Sequence, residues 1–346
     1  MKAGILYGPG NIRCESIPCP RISENEVLVA VKAVGICGSD IPRYEKGTSP
    51  YNFKILGHEC AGEVVEVGCC VREVKKGDRV AVMPVLPCGE CSLCRVGKYP
   101  LCNNFIRMGT RVDGCFAEFI KIPPQNLLKL PENVDFESAA ILEPAAIALH
   151  TIKRGKINPG DLVVVMGCGP IGNLCAQFAL LLGARRVYVV DIAEEKLQIA
   201  RKVGLTFLIN AKKEDPVQKV WRENQEGADL VIESAGTLKT LEQCILTARK
   251  RGRVALLGLI KQDVLIPERA YYLILHHELN LYGVYDTDFE PFPPYHSWKT
   301  ALHFIAQGKI KVKPLISHRF KIDRIGEVFR DMSLNRDKYN KVLFVF

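Results

Sequence analysis

No run in this chain approaches the roughly 18 consecutive apolar residues that a membrane span requires, so the sequence predicts no membrane helix. Nor is there a dense basic stripe with interleaved aromatics. The net charge of +9 is scattered, in pairs such as Lys75-Lys76 and Arg185-Arg186 and in the richer "ARKRGR" of Ala248–Arg253. Nucleic-acid binding wants a concentrated basic face. Dispersed cations read instead as solvated surface, with a mild field that suits an anionic small substrate. Internal repeats are lacking too. The opening "MKAGILYGPGNIRC" is broken by Gly and Pro too early to form the apolar part of a signal peptide. These absences predict a cytoplasmic globular protein of about two domains.

What the chain has in quantity is cysteine, 14 in 346 residues. A small secreted domain would spend them on disulfides. In a long chain without an export signal, clustered cysteines point to metal. Cys88, Cys91, Cys94 and Cys102 stand in C-x2-C-x2-C-x7-C spacing. Four thiolates so close in sequence can close a tetrahedral zinc with no open position, which makes a structural site. An iron–sulfur cluster is the rival, since the first spacings match the ferredoxin run. That run ends C-x3-C-P, whereas here the last gap is seven and Asn103 follows. Cys60, Cys69, Cys70 and Cys115 have no metal spacing and are expected to be packing residues.

As far as about residue 130, short apolar runs alternate with Gly and Pro, the pattern of an all-β unit. From Phe136 the pattern turns helical, with Pro144 predicting a break or kink. Beyond "NPGD" come six apolar runs: Leu162–Met166, Arg186–Val190, Thr206–Asn210, Asp229–Glu233, Arg253–Leu259 and Leu279–Val284. Most are separated by helix-like stretches, which predicts a doubly wound parallel sheet covered on both faces. The expected domains are 1–150 with 286–346, and an inserted 151–285. The Pro-rich "YDTDFEPFPPYHSW" (Tyr285–Trp298) falls at the crossing, as a rigid linker or a cleft wall.

Gly167, Gly169 and Gly172 stand in G-x-G-x-x-G spacing between the first of these runs and a helical stretch. In that context the first glycine turns the chain and the second, with Pro170 and Ile171 after it, brings backbone and helix N-terminus to a pyrophosphate. The third allows close helix–strand packing. Asp191, nineteen residues after Gly172, can accept hydrogen bonds from ribose hydroxyls and would repel a 2′-phosphate. Ile192 follows rather than Arg, so the cofactor predicted is NAD. Lys196 is a candidate for a further ribose contact or an exposed helix lysine.

Cys37 in "GICGSD" and His58-Glu59 in "LGHECAG" offer a thiolate, an imidazole and a carboxylate. Such a set leaves zinc an open position, as a catalytic site needs. Residue chemistry alone leaves the matter open, because a buried core cysteine and a satisfied histidine fit as well.

In order, "GICGSD", "GHECAGEVVEVG", the four-cysteine lobe, "LEPAAIALH" and "GCGPIG" resemble the zinc-containing medium-chain alcohol and polyol dehydrogenases, over essentially the whole chain. The resemblance implies a GroES-like β domain carrying the metals, an inserted Rossmann domain, and catalysis between them. It implies NAD and two zinc ions per chain, one catalytic and one structural, in a homodimer or homotetramer. The apolar "LNLYGV" is a strand that could pair across a two-fold.

Cys37 and His58 are the implied catalytic zinc ligands, and Glu59 the carboxylate that binds or releases the metal as substrate exchanges. Glu143 in "LEPA" matches the glutamate of the polyol branch, where alcohol dehydrogenases proper carry a cysteine. In the implied reaction zinc ionises the alcohol to its alkoxide, which passes hydride to NAD and leaves a ketone. Ser39 is the implied hydroxyl that hydrogen-bonds the substrate oxygen and starts proton removal, the alternative being a turn-capping serine. Relatives often carry a relay histidine five residues after the zinc cysteine; this chain has Pro42, so water, another side chain or Glu59 takes that part.

"CGSDIPR" with "LEPAAIALH" is most similar to the branch that oxidises galactitol 1-phosphate to D-tagatose 6-phosphate. A phosphorylated substrate needs a cation, and Arg43, helped by Lys46, is the expected clamp; a surface arginine is the alternative. Competing substrates are sorbitol or L-iditol, 2,3-butanediol and L-threonine. A redox-sensing or structural nucleotide-binding protein is the reading from another class, opposed by the intact Cys37, His58, Glu59 and Glu143.

Overall fold

Val27–Ile36, "VLVAVKAVGI", is polar only at Lys32 and buried everywhere else. Such a strand belongs at the centre of a sheet, and it is central here. In the computed structural model, which describes residues 1–47, 54–288 and 296–346, it pairs antiparallel with Glu59–Val67, Lys341–Val345 and Phe119–Ile122. The seven-stranded sheet continues outward through Arg79–Val82 and Leu127–Lys129 on one side and Ile316–Phe320 on the other. One compact unit comprises Met1–Glu143, Asp288–Gly308 and Leu315–Phe346; the other comprises Pro144–Thr287 and Lys309–Pro314. In the first, GroES-like unit, Val29, Val31, Val34 and Phe116 join one core with Phe329 and Phe344. Phe116 meets both other rings edge-on at 5.6–5.7 Å, worth about 1 kcal/mol each beyond burial.

The second unit is the Rossmann sheet. Numbered along its own chain, its strands are Leu162–Met166, Arg186–Asp191, Phe207–Asn210, Ala228–Glu233, Ala248–Leu256 and Asn280–Gly283. They lie in the order 3-2-1-4-5-6, all parallel. The order reverses beside the first strand, whose five residues are all buried. Ligands bind at the C-terminal ends of strands at such a switch point.

Pro144 sits in the first turn of Leu142–Arg154, after a separate short helix Phe136–Ala139. There its missing N–H costs nothing, so the helical stretch is broken just before the proline. The fifth Rossmann strand begins five residues earlier than its apolar run, taking in "ARKRGR". Arg253 is therefore no solvated charge: it is 9% exposed and pairs with Asp161 at 2.8 Å. Residues 289–295 of the Pro-rich crossing lie outside the described residues.

Candidate active site and metal centres

Antiparallel pairing brings Cys37 and His58 together. Gly35 faces Glu59 in the register, so Cys37, just past one strand's end, meets His58, just before its neighbour's start. Donor atoms of Cys37, His58 and Glu59 all lie within 4.8 Å of one another, with His58 and Glu59 buried. Gly35 leaves room for the Glu59 carboxylate in its observed position. A Cβ there would stand 2.3 Å from Glu59 Oε2.

Two further residues, Asp40 and Lys341, hold the trio. Asp40 Oδ2 accepts from Cys37 N at 3.0 Å, and its other oxygen lies 3.6 Å from His58 Nδ1, both groups fully buried. At that separation the two atoms are not hydrogen-bonded, but the acid stands on the side of the ring from which a carboxylate orients a ligating imidazole. Lys341 Nζ donates to Glu59 Oε2 at 2.6 Å. Glu143 lies outside the trio: it is buried, with Oε1 2.6 Å from Arg107 Nη2. Neither Arg107 nor Lys341 belongs to any spaced motif, so nothing short of the fold could have found them. Asp40 was within reach, as the acid of "GSD".

Burial, then the charges of Glu59 and Asp40, push the Cys37 thiol up to about 12. Burial also drives His58 well below its ordinary value, helped by Arg107, Arg43 and Lys341, so its imidazole is neutral. Neutral imidazole is the form that ligates metal. A thiol so placed becomes thiolate only against a local cation.

Ser39 precedes helix Asp40–Lys46 but makes no capping bond. Its hydroxyl turns to Cys37 Sγ at 3.3 Å instead. Pro42 lies in that helix's first turn, where an N–H would have no acceptor. Arg43 Nη1 donates to Ser39 O at 2.7 Å, holding a half-buried guanidinium over the same turn; Lys46 is exposed.

The cysteine lobe is closed. Sulfur separations are 3.9 Å for Cys88–Cys94, 3.9 Å for Cys91–Cys102 and 3.4 Å for Cys88–Cys102. A tetrahedron of ~2.3 Å zinc–sulfur bonds puts its sulfurs about 3.8 Å apart. The thiols thus fit one zinc, and an iron–sulfur cluster would have to spread them. Backbone N–H groups of Asn103 and Cys94 pull the Cys91 thiol down to about 6, while burial pushes Cys94 up to about 12.

In the second unit, Gly167 has φ +104° and a Cβ on it would stand 2.9 Å from Ala235 N. At Gly172 a Cβ would fall 2.0 Å from Gly167 O, so only glycine lets helix Pro170–Leu181 seat on the strand. Gly169, by contrast, has nothing within 4 Å of its Cβ position. That open space at a helix N-terminus, beside half-buried Pro170 and Ile171, is what a pyrophosphate needs. Asp191 accepts from Cys168 N at 2.7 Å and from Ala193 N at 2.9 Å, which fixes the carboxylate with lone pairs to spare. Lys196 is half-buried on helix Glu194–Val203.

The family model described as alcohol dehydrogenase GroES-like domain matches residues 23–132, and that of zinc-binding dehydrogenase residues 170–307. Sorbitol dehydrogenase of Bacillus subtilis is 34% identical, over 94% of this chain and 91% of its own. L-threonine 3-dehydrogenase of Bacillus licheniformis is 35% identical, over 96% and 95%. The crystal structure of galactitol-1-phosphate dehydrogenase from Escherichia coli superposes with a TM-score of 0.92 at 32% identity, covering 100% of both chains. The chain belongs to the zinc-dependent medium-chain alcohol and polyol dehydrogenases, and is an oxidoreductase.

Proposed function

We propose that this enzyme oxidises a secondary alcohol of a sugar alcohol phosphate, galactitol 1-phosphate to D-tagatose 6-phosphate, with NAD as acceptor. Arg43 carries the reading. Its guanidinium is tied to the carbonyl of Ser39, the residue whose hydroxyl touches Cys37 Sγ. Its charge reaches the site: it opposes the burial that raises the Asp40 carboxyl to about 7, and it adds to the burial that drives His58 down. A fixed fork of donors beside the reacting centre suits a phosphate dianion.

The buried donor set fits zinc: Cys37, His58 and Glu59 would hold it, with Glu143 as a further carboxylate. Zinc there would supply the Lewis acidity that makes an alcohol hydroxyl easier to ionise. Ser39 Oγ accepts the hydrogen bond of the substrate hydroxyl and takes its proton as the serine's own proton passes on. Pro42 has no titratable group, so the proton passes on through water or Glu59. Asp191 binds the adenosine ribose and repels a 2′-phosphate, with Lys196 a further ribose contact. Cys88, Cys91, Cys94 and Cys102 hold a structural zinc. The edge strand Asn280–Gly283, with exposed Leu281, Tyr271 and Tyr272 near it in sequence, supports assembly as a homodimer or homotetramer.

The test is NADH formation from galactitol 1-phosphate, galactitol, sorbitol, 2,3-butanediol and L-threonine, with wild type and Arg43→Ala. Loss of a charged hydrogen bond should cut kcat/KM on the phosphate about 10- to 100-fold, and much less on galactitol. Equal losses on both would refute the clamp, and preference for a neutral polyol or threonine would refute the substrate.

A further inference from the structure

Cysteine is among the most buried residue types, and proteins avoid exposed free thiols. Cys60 and Cys115 meet the expectation of packing residues, but Cys69 and Cys70 do not: both are exposed. They are adjacent in sequence, and Glu24, also exposed, faces them. The two sulfurs and a Glu24 carboxylate oxygen all lie within 4.8 Å of one another.

That grouping is built by the main chain. Glu24 sits in a turn closed by Glu26 N to Ser23 O at 3.2 Å and by Ser23 N to Glu26 Oε2 at 2.9 Å. The cysteines sit in a second turn, closed by Val71 N to Gly68 O at 3.0 Å. Gly68 N donates to Glu26 O, and Cys70 N to Glu24 O, each at 2.9 Å, tying the turns together. They touch so closely that a Cβ on Gly68 would stand 2.3 Å from Glu24 O. Arg72 Nη1 donates to Cys69 O at 2.7 Å and fixes the far side.

We propose that Glu24, Cys69 and Cys70 form a third metal site, for a thiophilic divalent cation of the Zn2+ and Cd2+ class. Zinc takes sulfur at ~2.3 Å and carboxylate oxygen at ~2.0–2.2 Å, with tetrahedral donors about 3.8 Å apart. The 4.8 Å ceiling on the observed spacing leaves at most about 1 Å for side-chain rotation to close. A disulfide is the poorer outcome for the same pair. Neighbouring Cα atoms lie about 3.8 Å apart, short of the roughly 4.4–6.8 Å that disulfides span. Binding converts both thiols to thiolates, so each ion taken up releases two protons. Three protein donors leave one position to water, and the site exchanges its ion more readily than the four-thiolate lobe. The proposal is independent of the substrate reading.

The test titrates Cd2+ into reduced, zinc-loaded, full-length protein, following thiolate-to-cadmium ultraviolet absorption and proton release. Wild type should take up one equivalent more than Cys69→Ser/Cys70→Ser, with about two more protons released. Glu24→Gln should weaken that equivalent about tenfold, and Cys19→Ser, which alters an exposed thiol outside this trio, should leave it intact. If the double variant fails to fold, the single variants Cys69→Ser and Cys70→Ser should each lose the equivalent. Equal uptake by wild type and the cysteine variants overturns the site. So does loss of the equivalent with Cys19→Ser, or a native Cys69–Cys70 disulfide seen as a mass two hydrogens lighter.

Discussion

Lys341 Nζ lies 2.6 Å from Glu59 Oε2, with side-chain exposures of only 4% and 1%. The same ammonium donates to Ile36 O, one residue before Cys37, at 3.1 Å. Burial works against its charge, but Glu59 and then Cys37 outweigh burial and hold its pKa above the ordinary lysine value. Lys341→Met strands the Glu59 carboxylate in the interior. Removing one partner of a buried pair costs about 3–5 kcal/mol, and urea unfolding should show a loss of that size, with Lys341→Arg losing less. A cost for Lys341→Met below about 1 kcal/mol, as at an exposed pair, would mean that Glu59 does not depend on this lysine.

Metal analysis separates the two proposed zinc centres. With the readily exchanged ion at Cys69 and Cys70 dialysed away, Cys37→Ser should carry one zinc per chain where wild type carries two, and should lose NADH formation while the fold survives. Cys91→Ser, at the thiol the backbone most favours as thiolate, should remove the other ion and lower the melting temperature. If wild type carries one zinc, held by the lobe alone, catalysis through Cys37 and His58 is refuted.

The Rossmann unit was legible because strands buried on both faces read as unbroken apolar runs, and Gly167–Gly172 follows the first of them. The cysteine lobe was legible because its ligands are local. Cys37 and His58 were not, since only the Gly35–Glu59 register closes the gap between them. Without the family resemblance they would have remained a core thiol and a core histidine. Lys341 is 282 residues from its partner, a distance that no spacing argument spans. Arg253 was misread for a related reason: a charge implies solvent only until the fold supplies Asp161. Cys69 and Cys70 were misread in the opposite direction, as side chains that would pack inside.

In the proposed function, cofactor choice rests on Asp191. Asp191→Ser with Ile192→Arg removes the repelling carboxylate and offers a guanidinium to a 2′-phosphate. The ratio of kcat/KM for NADP to that for NAD should rise at least about tenfold, the scale of one charged hydrogen bond. Because Asp191 also anchors Cys168 N and Ala193 N, the variant should lose about 1 kcal/mol of stability as well. An unchanged cofactor ratio would show that Asp191 does not face the ribose.

Alkaline stability should depend on Tyr339. Its hydroxyl donates to Asp331 Oδ2. Burial first, and then the hydrogen bond and charge of Asp331, raise the phenol from 10.0 to about 12. Folding therefore favours the protonated phenol. Its contribution is whole below pH 10.0, the unfolded value, and is lost as pH rises through about 12. Tyr339→Phe carries no such proton, so across that window its urea midpoint should fall less steeply than that of wild type. An ultraviolet titration of wild type minus variant should place one tyrosinate step near 12. Parallel stability curves, or a difference step at 10.0, would show that the Asp331 bond does not hold the phenol's proton in solution.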